Sequence, residues 1–175
     1  MTIITSLHGR RVGLGADGEL ILNKRSGEVI ALGKSTTALL TSAQVLALFA
    51  TPITVIAAAP AGYAHVVHRW AVHKPAGTAY AAIAVGEDLT LKYTNASGAL
   101  AAAQMETTGF LDQTTAQTRI GAALGATGTT SGDVNAVAAA AVVAHLLVGE
   151  ITTGDSDLYV RVWYDTIKLA FGLTD

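Results

Sequence analysis

Alternation of apolar and polar side chains dominates this chain. In "YAHVVHRWAVHK", Val66, His68, Trp70 and Val72 fall on one face of a strand. His65, Val67, Arg69, Ala71 and His73 fall on the other. In "GDSDLYVRVWYDTIKLAF", Leu158, Val160, Val162 and Tyr164 oppose Tyr159, Arg161, Trp163 and Asp165. Shorter runs read as strands too: "ITVIAAA" (Ile53 to Ala59), "AYAAIAV" and "LTLKYTN", separated by Pro60-Ala61-Gly62, Pro75-Ala76-Gly77 and Gly86-Glu87-Asp88. Between 95 and 134 the chain is rich in Thr, Gly, Ala and Gln. It predicts irregular structure with short strands at Gln104 to Thr107 and Thr118 to Gly121.

One segment breaks this rhythm. In "STTALLTSAQVLALFATP", Thr41 with Gln44 three residues on resembles a capping box, and Pro52 ends the run, which predicts a short helix over 42–50. The most apolar stretch is "NAVAAAAVVAHLLVGE", Asn135 to Glu150. Its apolar run of about fifteen residues is shorter than the roughly 20 that a spanning helix needs, so no membrane span is expected. Val142-Val143 and Leu146-Leu147-Val148 favour a strand, read as about Val142 to Thr152 and buried on both faces. The alanine half reads as strand or a loose extension of it.

Residues 1–36 have another texture, rich in glycine and charge. Asp17-Gly18 and Ser26-Gly27 signal tight turns before Glu19-Leu20-Ile21-Leu22 and Glu28-Val29-Ile30-Ala31-Leu32. This is an N-terminal β-hairpin arm, too short to bury a core of its own. The expected organisation is therefore an arm over 1–36 and a β-sandwich domain over 37–175, all-β and antiparallel with one short helix. There is no βαβ rhythm and no internal repeat.

Composition narrows the function classes. Charged residues are 14% of the chain, against about 25% in ordinary soluble domains, and hydrophobic residues 51%. A surface this poor in charge points to coverage by partners. With 11 basic and 13 acidic residues the net charge is -2, which leaves no electrostatic footprint for nucleic acid. Arg10-Arg11 and Lys24-Arg25 fit a solvated hairpin. Cysteine is absent, which excludes a disulfide framework and a cysteine nucleophile. The opening MTIITSLHGRR lacks the apolar core of a signal peptide, so Asn95-Ala96-Ser97 reads as a turn rather than a glycosylation site.

No catalytic constellation emerges. His65 and His68 face opposite ways on a strand, and His65 and His73 share a face but lie roughly 26 Å apart, so the three cannot chelate one ion. The His-x-His pair of cupins is absent. "TGDSDL" looks like the Gly-Asp-Ser block of a hydrolase family, but no histidine follows Ser156, and a polar turn is expected in which Asp155 and Asp157 bond nearby amides. "GLGADG", Gly13 to Gly18, lacks the strand and helix that a dinucleotide fingerprint needs, and Gly33-Lys34-Ser35 lacks the upstream glycine of a phosphate loop. Glu87 and Asp88 read as turn residues. Trp70, Trp163, Tyr159 and Tyr164 read as core or subunit interface. No catalytic, cofactor-binding or metal site is expected.

Four blocks together carry a resemblance: "LTSAQVLALFATPITVIAAAPAG", "GEDLTLKYTN", "ETTGFLDQT" and "ITTGDSDLYVRVWYD". They run from about Leu40 to Asp165 and resemble small virion proteins of tailed bacteriophages, a group connected with capsid decoration, or cement, proteins. The resemblance implies a jelly-roll fold and a homotrimer on the capsid exterior. It also implies the major capsid protein as partner, synthesis in the bacterial cytoplasm and no enzymatic role. The alternatives are another virion part (tail tube, head fibre base or connector), a carbohydrate-binding sandwich using Trp70 and Trp163, or a metal-dependent cupin. The arm lies outside the four blocks and is expected to reach onto the capsid or a neighbouring subunit.

Overall fold

The computed structural model describes residues 2–7, 10–14, 20–23, 29–124 and 135–170, with side chains over 33–124 and 135–170. The strands are β1 (Thr2–Leu7), β2 (Arg10–Leu14), β3 (Leu20–Asn23), β4 (Val29–Leu40), β5 (Ile53–Ile56), β6 (Tyr63–Lys74), β7 (Asp88–Tyr93), β8 (Met105–Glu106), β9 (Gln117–Ala122), β10 (Val142–Leu146) and β11 (Leu158–Lys168). One helix, α1 (Ser42–Leu46), follows β4.

Strands β4 to β11 pair antiparallel as β4 with β11, β5 with β10, β6 with β9 and β7 with β8. That is one long hairpin rolled up on itself. The rolled ribbon closes into two sheets, β4-β11-β6-β9 and β5-β10-β7-β8. First pairs last and the rest nest inside, which is the strand order of a jelly roll. Strands β1 to β3 add to the first sheet beyond β4, making it seven-stranded. The fold is thus the all-β sandwich expected, with little helix.

The core lies between the sheets. Leu158, Val160 and Val162 of β11 and Val67, Trp70 and Val72 of β6 meet Leu89, Leu91 and Tyr93 of β7 and Val142, Ala144 and Leu146 of β10, all buried. The inward positions of β11 are the alternating set read from sequence. Tyr93 ties the sheets together: its hydroxyl donates to the His65 carbonyl at 2.6 Å, and burial pushes its pKa up to about 12. The central strand of the small sheet, β10, is buried at every residue.

Several expectations need correction. The helix stops at Leu46 and continues as turns to Ala50. The capping box at Thr41 and Gln44 is present, but five residues give little stability beyond the cap. Strand β10 ends at Leu146: the Leu147 amide still donates to Asp88 O of β7, but the Val148 and Gly149 amides go to the Glu87 carboxylate instead of a strand. The alanine half over 135–141 is loop and turn. "AYAAIAV" is not a strand. The Tyr80 amide donates to Leu111 O, Ala81 makes only an isolated bridge to Thr152, and Ala82 takes φ +56°. The faces of β6 also differ from simple alternation. Between Trp163↔Arg69 and Tyr164↔Val67, β11 advances one residue and β6 two, so His68 is an extra, bulged residue. The bulge inverts the faces before it. His65 and Val67 point into the core, as Trp70 and Val72 do, while Arg69 and His73 point outward.

A second bulge lies directly across β11. Between Tyr164↔Lys34 and Thr166↔Ala31, β11 advances two residues and β4 three, and Gly33 there takes φ +72°. Asp165, between the two bulges, accepts from the Gly33 amide at 2.6 Å and meets His68 Nε2 at 2.8 Å. Strand β4 runs through position 36, so the arm joins the sandwich along a shared strand. The turns read at Asp17-Gly18 and Ser26-Gly27 lie outside the described residues, as do Lys24 and Arg25.

Candidate interaction face on the large sheet

The two sheets differ in cover. Over the small sheet, the turn after α1 packs on β10: the His145 ring lies 5.6 Å from that of Phe49 and its Nε2 bonds the Phe49 carbonyl at 3.0 Å. Among the described residues, the outer face of the large sheet is left uncovered. Its residues are set by register in three rows across β4, β11, β6 and β9. The first row is Leu39, Tyr159, His73 and Thr118. The second is Thr37, Arg161, Ala71 and Ile120, and the third Ser35, Trp163, Arg69 and Ala122. Leu39 is 49%, Tyr159 43% and Ile120 75% exposed, high values for large apolar groups on paired strands.

The centre of this face is organised. The Arg69 guanidinium stands 4.2 Å and that of Arg161 5.0 Å from the Trp163 ring. Each guanidinium is attracted to the π face of the indole, which offsets the repulsion between the two cations. Arg161 also donates to Ser35 Oγ at 3.4 Å, and His73 Nδ1 meets Thr118 Oγ1 at 2.8 Å. No position in the three rows is Asp or Glu. Nearby carboxylates have other partners: Asp165 as above, and Asp157 accepts from the Ser42 amide at 2.8 Å. The face is therefore basic and aromatic. Tyr, Trp and Arg are the side chains that carry most binding energy at protein interfaces.

The residues weighed from sequence fall as follows. His65 is buried, donates from Nε2 to Ala57 O at 2.9 Å and accepts from Thr166 Oγ1 at 3.0 Å on Nδ1. Desolvation by burial holds its pKa below the ordinary value, so it is a neutral structural group. His65, His68 and His73 are not brought together, and no group of metal-ligating side chains is present among the described residues. Asp155 accepts from the Thr78 amide at 2.6 Å and hydroxyl at 3.0 Å, which holds its carboxyl below the usual range. With Asp157 on Ser42, both carboxylates bond amides 77 and 115 positions away in sequence, so they tie distant segments together rather than capping amides of their own turn. Ser156 is buried, its carbonyl taking the Tyr80 hydroxyl. Glu87 is more than a turn residue. Its carboxylate is fully buried and accepts from the Val148 and Gly149 amides at 3.0 and 2.8 Å, fixing the chain just after β10. Trp70 is core, its indole N–H donating to Ala103 O at 3.1 Å. Gly33-Lys34-Ser35 lies in β4, and Gly13 and Leu14 in β2.

The face was half legible. Arg161 and Trp163 share a face in the alternation, as do Arg69 and His73. Nothing in the sequence joins the two sets, because that needs the β11–β6 register. Comparison of the chain with family models, curated proteins and solved structures returned no match in any of the three.

Proposed function

We propose that this chain is a structural virion protein that binds the outer surface of a tailed-phage capsid and cements neighbouring major capsid subunits, as a homotrimer. The observation that carries this reading is the face of the large sheet left uncovered among the described residues, with Tyr159, Trp163, Arg69 and Arg161 on hydrogen-bonded strands, a surface suited to assembly with protein partners, a second copy included. Side chains fixed in this way lose little entropy on binding. The resemblance of the four sequence blocks supplies the partner, and the jelly-roll strand order agrees with what that resemblance implies. Cement action is linkage. A protein that binds only the assembled shell stabilises it, by about 2.7 kcal/mol per site at a hundredfold excess over Kd. Symmetric copies multiply the effect.

The carbohydrate-binding alternative requires two exposed tryptophans, and Trp70 is fully buried. Co-sedimentation with capsids stripped of this chain tests the proposal. Saturable pelleting at a fixed ratio to the major capsid protein is expected. No pelleting, with rings or tubes formed by the chain alone, would move the protein to the tail.

A further inference from the structure

Strands β7 and β8, on the sheet opposite the basic face, place two carboxylates side by side. Asp88 and Glu106 are direct cross-strand partners, an arrangement that destabilises a sheet when both are charged. Glu106 is exposed and, among the described residues, accepts only from the Thr108 amide, at 3.1 Å. No cation among the described residues pairs with either carboxylate, and burial together with Glu106 and Glu87 raises the Asp88 pKa. Among the described residues, the Asp88–Glu106 pair thus has no cation of its own, while the three rows around Arg69, Trp163 and Arg161 hold no carboxylate and the next outward side chain of β11, Asp165, is engaged by Gly33 and His68.

We infer that the two are halves of one interface: the Arg69–Trp163–Arg161 face of one copy receives the Asp88–Glu106 edge of the next. The contact is heterologous, so it closes into a ring when the rotation allows. Closure at three copies rests on the trimer reading above. Two arginine faces brought together would juxtapose like charges, which is strongly unfavourable and works against an isologous pairing through the face. A guanidinium from the neighbour would relieve the Asp88–Glu106 repulsion. Tyr159 and Ile120 would be covered in the same step.

Sedimentation equilibrium of the full chain tests this. The expected mass is three times 17.9 kDa, falling toward one copy as salt is raised to about 1 M, where screening acts within about 3 Å. Arg161→Glu and Glu106→Lys should each weaken association by about a hundredfold or more. Glu106→Gln keeps the acceptor for Thr108 and should weaken it less. The double variant Arg161→Glu/Glu106→Lys, with both signs exchanged in one chain, should recover the assembly. Circular dichroism checks that each variant folds. A chain that is monomeric at all concentrations, or single variants that assemble like wild type, would overturn the interface. So would Arg161→Glu keeping its mass but losing capsid pelleting, because the face then belongs to the shell. Assembly lost and regained as expected, with no variant and no wild type pelleting with capsids, upholds the interface and refutes the cement reading alone.

Discussion

Gly121 on β9 lies beside Trp70, its direct partner across β6, on the inner side of the large sheet. A Cβ there would sit 2.2 Å from Trp70 Nε1, 2.7 Å from Cδ1 and 2.8 Å from Cε2. Ordinary contact begins at about 3.5 Å, so the indole must retreat by more than about 1 Å. It has nowhere to go: Trp70 is fully buried between the sheets, and its N–H is committed to Ala103 O at 3.1 Å. Overpacking of a core costs about 1–3 kcal/mol. A buried N–H pulled off its acceptor costs about 1–3 kcal/mol more. Gly121→Ala should therefore destabilise by about 2–6 kcal/mol. For a domain of this size that lowers Tm by about 4 °C at the mild end and about 20 °C at the severe end. Scanning calorimetry and urea titration read this directly, with the m-value unchanged if the cost lies in the native state. Gly149→Ala is the control. No atom lies within 4 Å of its built Cβ, and its amide bond to Glu87 survives the change. It should be neutral or stabilising by up to about 1 kcal/mol. A Gly121→Ala protein that melts with wild type would refute the packing reasoning.

Other consequences can be checked separately. Glu87→Ala leaves the Val148 and Gly149 amides without their charged acceptor and should cost about 3–5 kcal/mol, read from the urea midpoint. His65 and His145 are buried with folded pKa values below the unfolded 6.5, so the unfolded chain binds more protons at mildly acid pH. Their contribution is complete above about pH 6.5 and is lost as pH falls through it toward the depressed folded values, by up to about 1.4 kcal/mol per histidine per pH unit; His145→Gln should flatten that slope, and an unchanged slope would count against it. Iodide should quench fluorescence more than caesium does, because two guanidiniums stand over the Trp163 ring, and Trp163→Phe should abolish the difference. Removal of residues 1–28 keeps all of β4 and should leave Tm within a few degrees while weakening capsid pelleting; a cut at 36 would also take the β4 residues paired with Val162 to Thr166.

Local periodicity carried much of the architecture. Alternation over Leu158 to Tyr164 marks the inner face of β11, since a side-chain period of two needs no distant information. The capping box at Thr41 and Gln44 is likewise contained in four residues. The β-class and the short strands β8 and β9 followed from runs bounded by turn residues. Where a distant partner decides, the sequence was silent. The bulge at His68 turns His65 from the outer face to the core, and its position depends on how β6 registers against β11. Glu87 reads as a turn residue until Val148 and Gly149, sixty-one and sixty-two positions away, bring their amides to its carboxylate. The cross-strand rows that collect Arg69, Trp163 and Arg161 exist only once the hairpin has rolled up. Side-chain period is fixed by backbone geometry within a strand, whereas register and bulges minimise the energy of two strands together, and that minimum belongs to the tertiary structure alone.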